Sequence, residues 1–325
     1  MNKIIRWGII GCGDVTEVKS GPGFQKADGS SLVAVMRRDA AKARDYAARH
    51  NVPRWYADAD ALIADREVDA IYVATPPSSH KEYVLKAALA GKPVLVEKPM
   101  ALSLDECEEM ISACRRAGVP LRVAYYRRKL PRFEKMRALI QSGDIGKPRA
   151  VAIRQFMKQG TLPAQSWKVD PAINGGGIFV DVQTHVIDWL HHVFGPVREI
   201  GGVAINAART YKAEDTVSYS LLFENGVLAG GVCAYSTAHE EESVTVYGSE
   251  GEVSISFFRP GDVRLMRRGV EENFQLPDPP HVHQPLIQAF VNELRGGPAL
   301  DSTDETAAQT ARVIDEILRR FRAAR

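Results

Sequence analysis

Four short stretches of this chain hold side chains whose types and spacing can do chemistry. In Lys92-Pro-Val-Leu-Val-Glu-Lys-Pro-Met100, an apolar run bounded by Gly91 and Pro99 reads as a short buried strand, Pro93 to Val96. It delivers a carboxylate and an amine, Glu97 and Lys98, to the strand's C-terminal end. In an open parallel sheet that edge is where ligands bind. Pro99 blocks further ladder pairing and biases Lys98 toward extended backbone. Taken alone, Lys98 reads more readily as a solvated strand end, because lysine is mostly exposed.

The second stretch is Gly175-Gly-Gly-Ile-Phe-Val-Asp181-Val-Gln-Thr-His185-Val-Ile-Asp188. Three glycines permit tight backbone at a helix start. Asp181 and His185 are four residues apart and share one helix face. A carboxylate and an imidazole so placed suit proton transfer, or else form an intrahelical pair on a solvated face. Asp181, His185 and Asp188 have ligand types suited to a metal. No further ligand cluster accompanies them, so no metal is expected.

The third stretch is Gly8-Ile-Ile-Gly11-Cys-Gly13-Asp14-Val15-Thr16, directly after an apolar strand over Ile4–Ile10. Small residues there let backbone approach a pyrophosphate, whose charge the next helix N-terminus favours. Gly11, Gly13, Asp14 and Val15 are the candidate cofactor contacts. The third fingerprint position holds Thr16, and Ser20-Gly-Pro-Gly23 breaks the following helix. A NAD-selective site places an acid at the end of the second strand. Here Met36-Arg37-Arg38 stands there, and Asp39 reads as the N-cap of a helix over 40–50. Arg37 and Arg38 therefore favour a 2′-phosphate: NADP is the expected cofactor, with NAD possible. The fourth stretch, Thr75-Pro76-Pro-Ser-Ser-His80, ends the strand Val68–Val73.

The elements that must position these stretches follow from periodicity. Strands near 4–10, 32–36, 68–73, 93–96 and 121–124 alternate with helices, which predicts a doubly wound parallel sheet. All four special turns of this half fall at strand C-termini. Beyond Tyr125 the pattern changes. A helix over 131–142, a strand near 149–156 and a polar loop over 158–174 lead to the Gly175–Asp188 segment. Seven strands follow, roughly 197–207, 215–223, 227–235, 242–248, 252–258, 263–267 and 272–276, with hairpin signals at Glu224-Asn-Gly226 and Gly248-Ser-Glu-Gly251. Helices over 285–294 and 303–321 close the chain. His191 and His192 read as helix C-terminal residues favoured by the dipole. His281 and His283 lie in a Pro-rich loop with no evident role. The expected fold is α/β, an N-terminal Rossmann domain over 1–124 and a C-terminal α+β domain over 125–325 with an open, mainly antiparallel sheet. The closing helix is free to pack back on the first domain. Large residues alternate along the strands, as at Tyr219, Leu221 and Phe223, and a wide sheet with few helices leaves a face to cover. A homodimer or homotetramer is expected.

Totals exclude several classes. The chain has 325 residues, 45% of them hydrophobic and 25% charged, with a formal net charge of +2, so charge argues for neither a nucleic-acid nor a membrane partner. No signal peptide or membrane span is read. The four cysteines, Cys12, Cys107, Cys114 and Cys233, form no Cys-x-x-Cys and fit reduced thiols in a cytoplasmic protein.

Gly11-Cys-Gly13, Ala74-Thr-Pro-Pro-Ser-Ser-His80, Val96-Glu-Lys-Pro99 and Gly175-Gly-Gly-Ile-Phe-Val-Asp181…His185 occur in that order. Together they resemble the glucose–fructose oxidoreductase / inositol dehydrogenase / rhizopine-catabolism (Gfo/Idh/MocA) family over nearly the whole chain. The resemblance implies a Rossmann domain followed by an open-sheet domain, and NAD(P)-dependent oxidation or reduction of sugars, cyclitols and related polyols. It implies Lys98, Asp181 and His185 as catalytic residues, and Thr75, Pro76, His80 and Glu97 as nicotinamide-side contacts. On that reading either Lys98 or His185 carries the proton. Tyr125, Tyr126 and Arg127, just past the last Rossmann strand, and Trp167 and Lys168, in the polar loop, are candidates to line a sugar pocket. Two rivals stand beside it: an NAD-assisted glycoside-cleaving enzyme of the same fold, and a non-catalytic dinucleotide-binding sensor.

Overall fold

The computed structural model describes residues 3–324. The chain divides into two compact units: the chain up to Tyr126 together with Pro279–Ala308, and Arg127–Asp278 together with the chain from Gln309 on.

The first unit is wound on a six-stranded parallel sheet. Its elements run β1 (Ile5–Ile10), α1 (Asp14–Val18), α2 (Gly21–Lys26), β2 (Ser30–Met36), α3 (Ala40–Arg49), β3 (Arg54–Tyr56), α4 (Ala59–Ala64), β4 (Ala70–Val73), α5 (His80–Leu89), β5 (Val94–Val96), α6 (Leu104–Ala117) and β6 (Leu121–Val123). The strand order is β3-β2-β1-β4-β5-β6, the Rossmann arrangement, whose order reverses beside β1. The central strands are apolar throughout because both faces are covered: Ile5, Trp7, Ile9 and Ile10 are buried, as is every residue of β4 and β5. Asp39 caps α3 by accepting from the Lys42 N–H at 3.1 Å, and Ser103 caps α6 by accepting from Glu106 at 3.3 Å.

Ser20-Gly-Pro-Gly23 breaks the helix as expected, α1 ending at Val18, and also starts a new one. Gly21 and Pro22 fill the first turn of α2, where a missing N–H costs nothing. A side chain at Gly21 would collide with the Thr16 carbonyl and the Tyr46 hydroxyl. The two departures from the usual glycine pattern, Thr16 and this insertion, are thus in contact. Thr16 is buried with its hydroxyl donating to the Gly13 carbonyl at 2.7 Å.

The second unit contains α7 (Pro131–Gln141), β7 (Pro148–Lys158), α8 (Pro171–Asn174), α9 (Ile178–Phe194), β8 (Val197–Ile205), β9 (Thr216–Phe223), β10 (Leu228–Thr237), β11 (Glu241–Gly248), β12 (Gly251–Ile255), β13 (Val263–Arg267) and β14 (Val270–Phe274). The eight strands form one sheet in the order β14-β13-β12-β11-β7-β10-β9-β8. All pairings are antiparallel except β10 with β7. Period-two alternation sorts the strands into two faces. Val217, Tyr219, Leu221 and Phe223 point inward, where Phe179 and Phe194 of α9 meet Tyr219 and Phe223. The opposite face carries exposed Val203, Leu228, Val232 and Tyr247.

The return segment of the first unit holds α10 (Gln284–Leu294), whose Phe290 packs on Trp7 with ring centroids 5.8 Å apart. Trp7 in turn meets Phe24, and Phe24 meets Tyr72. The segment then runs beside β6, with Val123 and Ser302 exchanging hydrogen bonds, before α11 (Asp304–Ala323) begins. The four cysteines are buried and none is in a disulfide. No helix among the described residues is long and apolar enough to cross a membrane.

Candidate functional site

Strand register puts the first-unit stretches on one edge. Ile10 lies opposite Met36 and Val73, Val73 opposite Val96, and Val96 opposite Val123. One further rung links their successors: Gly11 N–H donates to Met36 O, Ala74 to Ile10 O, Glu97 to Val73 O and Ala124 to Val96 O, all at 2.8–2.9 Å. The glycine loop, the Thr75 turn and the Glu97–Lys98 turn therefore leave the sheet side by side.

Gly11 has φ +93°, and a Cβ there would come within 2.7 Å of the Thr75 side chain. The first glycine is needed both for its left-handed backbone and for the approach of the β4 turn. A Cβ at Gly13 would meet nothing closer than 3.9 Å, so this position borders open space. Asp14 is exposed and Val15 half-buried at the start of α1. Arg37 lays its guanidinium on the loop, with Nη1 donating to the Cys12 carbonyl at 3.2 Å. Arg38 is exposed. The Asp39 carboxylate, held by the Lys42 N–H, lies below its usual range because that hydrogen bond stabilises the charge.

Thr75 Oγ1 accepts from Ser79 Oγ at 2.9 Å, and Pro76 O accepts from the same hydroxyl at 3.0 Å. His80 is fully buried. Its Nε2 lies 2.7 Å from Thr75 O, and its Nδ1 lies 3.1 and 3.2 Å from the Pro99 and Met100 carbonyls. The ring thus ties the β4 turn to the turn after Lys98, and its surface is spent on protein. Burial holds its pKa below the ordinary value, against the pull of these carbonyls and of Glu97.

Glu97 is buried beneath Lys98. Its Oε1 accepts from the Tyr72 hydroxyl and from His283 Nε2, the latter at 2.9 Å, and its Oε2 accepts from the Lys98 backbone N–H at 3.2 Å. Burial alone would raise this carboxyl. His283, Tyr72 and the Lys98 charge outweigh it and bring the pKa down to about 2. Lys98 itself is half-buried and joined to Pro99 by a cis peptide bond.

In the second unit, Gly177 caps α9 and its N–H donates to Glu214 Oε1 at 2.7 Å. Side chains at Gly176 or Gly177 would strike Val180, Ala213 or Glu214. Asp181 stands in the first turn and takes an ion pair from Lys168 Nζ at 3.0 Å. Lys168 rides on a 3-10 turn, Trp167–Val169, anchored by Asn174 Nδ2, which donates to Lys168 O and to Gly177 O. Trp167 is exposed beside it. Two positions predicted from different stretches, Lys168 and Asp181, are thereby joined. His185 follows one turn later and is buried, its ring edge-on to Phe258. Asp188 is committed elsewhere, in a buried bidentate pair with Arg128 at 2.5 and 2.8 Å.

Other candidates sit inside the protein. Tyr125 and Tyr126 are buried in the first unit, Tyr126 with its ring 4.3 Å from that of His283. Arg127 is buried in the second unit, donating to Phe257 O at 2.5 Å and lying over Phe133, Phe257 and Phe258. The dipole reading of His191 needs correction. Burial, with Arg128 and Arg312 nearby, drives its pKa down to about 3, so the ring is neutral; its Nδ1 lies 3.2 Å from the Thr310 hydroxyl. Sequence reasoning missed His283, whose carboxylate partner lies 186 residues earlier.

Residues 5–125 match the model of an oxidoreductase family with a NAD-binding Rossmann fold, and residues 133–254 match the GFO/IDH/MocA C-terminal domain. The chain is 38% identical over 319 residues to Oxidoreductase P35 of Formosa agariphila, covering 97% of this chain and 98% of that protein. It is 32% identical over 308 residues to 1,5-anhydro-D-fructose reductase of Ensifer adhaerens, covering 92% and 91%. Among solved structures, aldose-aldose oxidoreductase from Caulobacter crescentus, complexed with glycerol, superposes with a TM-score of 0.87 at 26% identity, covering 99% of each chain. The chain belongs to the Gfo/Idh/MocA family of NAD-binding oxidoreductases.

Proposed function

We propose that this protein is an NADP-preferring oxidoreductase acting on a CH–OH group of a sugar, cyclitol or related polyol, or on the matching keto-sugar. The observation that carries the reading is the shared edge: the glycine loop, the Thr75 turn and Glu97–Lys98 leave adjacent strands at one level. The residues fit a dinucleotide, since Gly11 admits no side chain and Gly13 faces open space. Gly11, Gly13 and Val15 would hold its pyrophosphate, and Thr75 and Pro76 its nicotinamide side. Bound there, the nicotinamide supplies the hydride chemistry.

The protein's own groups do the rest. Lys98 Nζ polarises the substrate oxygen, stabilising charge that grows on it in the transition state. His185 takes or gives the hydroxyl proton, and Asp181 orients both imidazole and sugar. Lys168 holds Asp181 and, with Trp167, borders the sugar. Support for a sugar or polyol comes from the anhydrofructose reductase and aldose oxidoreductase relatives. Arg38 supports NADP, because it is exposed at the end of β2 while the acid next to it in sequence, Asp39, is used as a cap. We also propose a homodimer or homotetramer through the open sheet face.

The test is a screen of aldoses, inositols and keto-sugars with both cofactors, read by nicotinamide absorbance. Against the best substrate, Lys98→Ala and His185→Ala are each expected to lower kcat by ~10²-fold or more, with cofactor affinity less affected. Wild-type turnover in either variant removes that residue from the mechanism. Cofactor binding without turnover of any polyol or ketose removes the enzyme reading.

A further inference from the structure

The first unit contains a buried polar cluster that the proposed chemistry does not use. Glu97 Oε1 receives two donors, the Tyr72 hydroxyl from β4 and His283 Nε2 from the return segment. Glu97 Oε2 receives the backbone N–H of Lys98. A carboxylate oxygen has no proton to give, so His283 must present its proton on Nε2. Three donors on one buried carboxylate form a high-stakes network: complete, it rigidifies its surroundings; broken, it leaves a charge in low dielectric.

His283 is held as firmly as it holds. Its backbone N–H donates to Lys19 O at 3.2 Å, just past α1, and its ring lies against that of Tyr126. Two residues earlier, His281 Nδ1 lies 2.6 Å from Val18 O, and its Nε2 lies 2.8 Å from Lys26 Nζ. The loop 279–283 is therefore pinned to the helices that follow the glycine loop. His283 relays that anchorage to the residue before Lys98.

We propose that His283 is a positioning residue for Lys98: its bond to Glu97, together with that of Tyr72, keeps the carboxylate ionised and fixed, so that Oε2 holds the Lys98 backbone in place for the reaction. The proposal rests on the oxidoreductase reading for its catalytic consequence. The charged and titratable groups facing Glu97 are Tyr72 on β4, His80 on α5, His283 on the return loop and Lys98 beside it. Of these, Tyr72 and His283 contact its Oε1, and His283 is the one placed by residues far along the chain.

The test compares wild type with His283→Phe, which keeps the ring against Tyr126 but has no donor, and His283→Gln, which restores a side-chain N–H. Two readouts are used, and the first needs no activity. Glu97's folded pKa lies below the ordinary carboxyl value of 4.5, so its stabilisation is present above that pH and lost as pH falls toward about 2. In His283→Phe the carboxyl loses a donor while staying buried, and its pKa rises. The variant's Tm is expected to fall by roughly 5 °C at pH 7, and this deficit should shrink as pH is lowered toward 4. His283→Gln should follow wild type. The second readout is the pH profile of kcat with the best substrate. In His283→Phe kcat should drop about tenfold and its acid limb should move up by about one pH unit, as Glu97 protonates; His283→Gln should recover most of both. A pH-independent Tm deficit shared by Phe and Gln, or a wild-type pH profile in His283→Phe, overturns the proposal. If wild type turns over no substrate, the oxidoreductase reading falls, and the Tm series still decides whether His283 keeps Glu97 ionised.

Discussion

On the proposed reading, single residues at the end of β2 carry the cofactor choice. Arg37 and Arg38 are neighbours in sequence, yet only Arg38 is exposed, while Arg37 spends its guanidinium on the Cys12 carbonyl. The two substitutions should therefore differ. Arg38→Ala is expected to weaken NADPH binding about tenfold or more and leave NADH within about twofold, as fits loss of one charge-assisted contact. Arg37→Ala should weaken both cofactors alike, because it loosens the glycine loop itself. Fluorescence titration with each cofactor decides this; equal losses for Arg38→Ala would defeat the NADP assignment. At this scale the candidates were legible in the sequence because Gly11, Glu97, Lys98, Asp181 and His185 stand in short strings of telling residue types. His283 and the neutral state of His191 were not legible, because each depends on what folds around the residue: a glutamate far upstream in one case, burial beside Arg128 in the other.

Elements present these residues, and α9 shows how. Where it presents Asp181 and His185 depends on the rotation of the helix over the sheet. Polar contacts between otherwise apolar layers set that rotation. Gln183 bonds Gln155 of β7 and accepts from the Tyr219 hydroxyl of β9 at 2.7 Å. Nearly three turns from the start, Asp188 is locked to Arg128. Breaking this buried pair should be costly: Asp188→Ala is expected to destabilise by about 3–5 kcal/mol in urea unfolding, because it leaves a buried guanidinium without its carboxylate. The double variant Arg128→Met/Asp188→Leu should regain much of that loss. A cost under about 1 kcal/mol for Asp188→Ala would show that the pair does not lock the helix. Long elements of clear period, such as α6 and the β9–β10 hairpin, could be read from sequence. The three-residue β3 could not, since Arg54–Tyr56 has neither an apolar run nor alternation. Nor could α2, whose Gly-Pro-Gly start has the composition of a loop.

At the scale of the whole molecule, the open face of the second sheet stands out. Register aligns exposed residues in rows across it. Val203 lies opposite Ser218, which lies opposite Val232; Leu222, Leu228, Ala150 and Tyr247 form another row. Tyr219, Leu221 and Phe223, whose alternation first pointed to a face needing cover, lie on the inner side and are covered by α9 and its neighbours. The apolar residues left exposed are their cross-sheet counterparts. The proposed self-association uses these, so Leu228→Lys with Val232→Glu should shift light-scattering mass to that of a 35.8 kDa monomer with little change in Tm of the separated chain. A monomeric wild type at micromolar concentration would remove the proposal.

The return segment has a consequence for how the chain is made. The first unit is begun by the residues up to Tyr126, but Phe290, which packs on Trp7, and His283, which holds Glu97, are supplied only after residue 279. The second unit likewise waits for the residues beyond Gln309. Neither unit has all its residues until the second of its two segments has been made, although domains commonly fold in the order of their emergence. Cutting the chain after Tyr126 would not release a self-sufficient nucleotide-binding module, because it removes residues that complete that module's core. A unit begun early in the chain is thus finished by residues made more than 150 positions later.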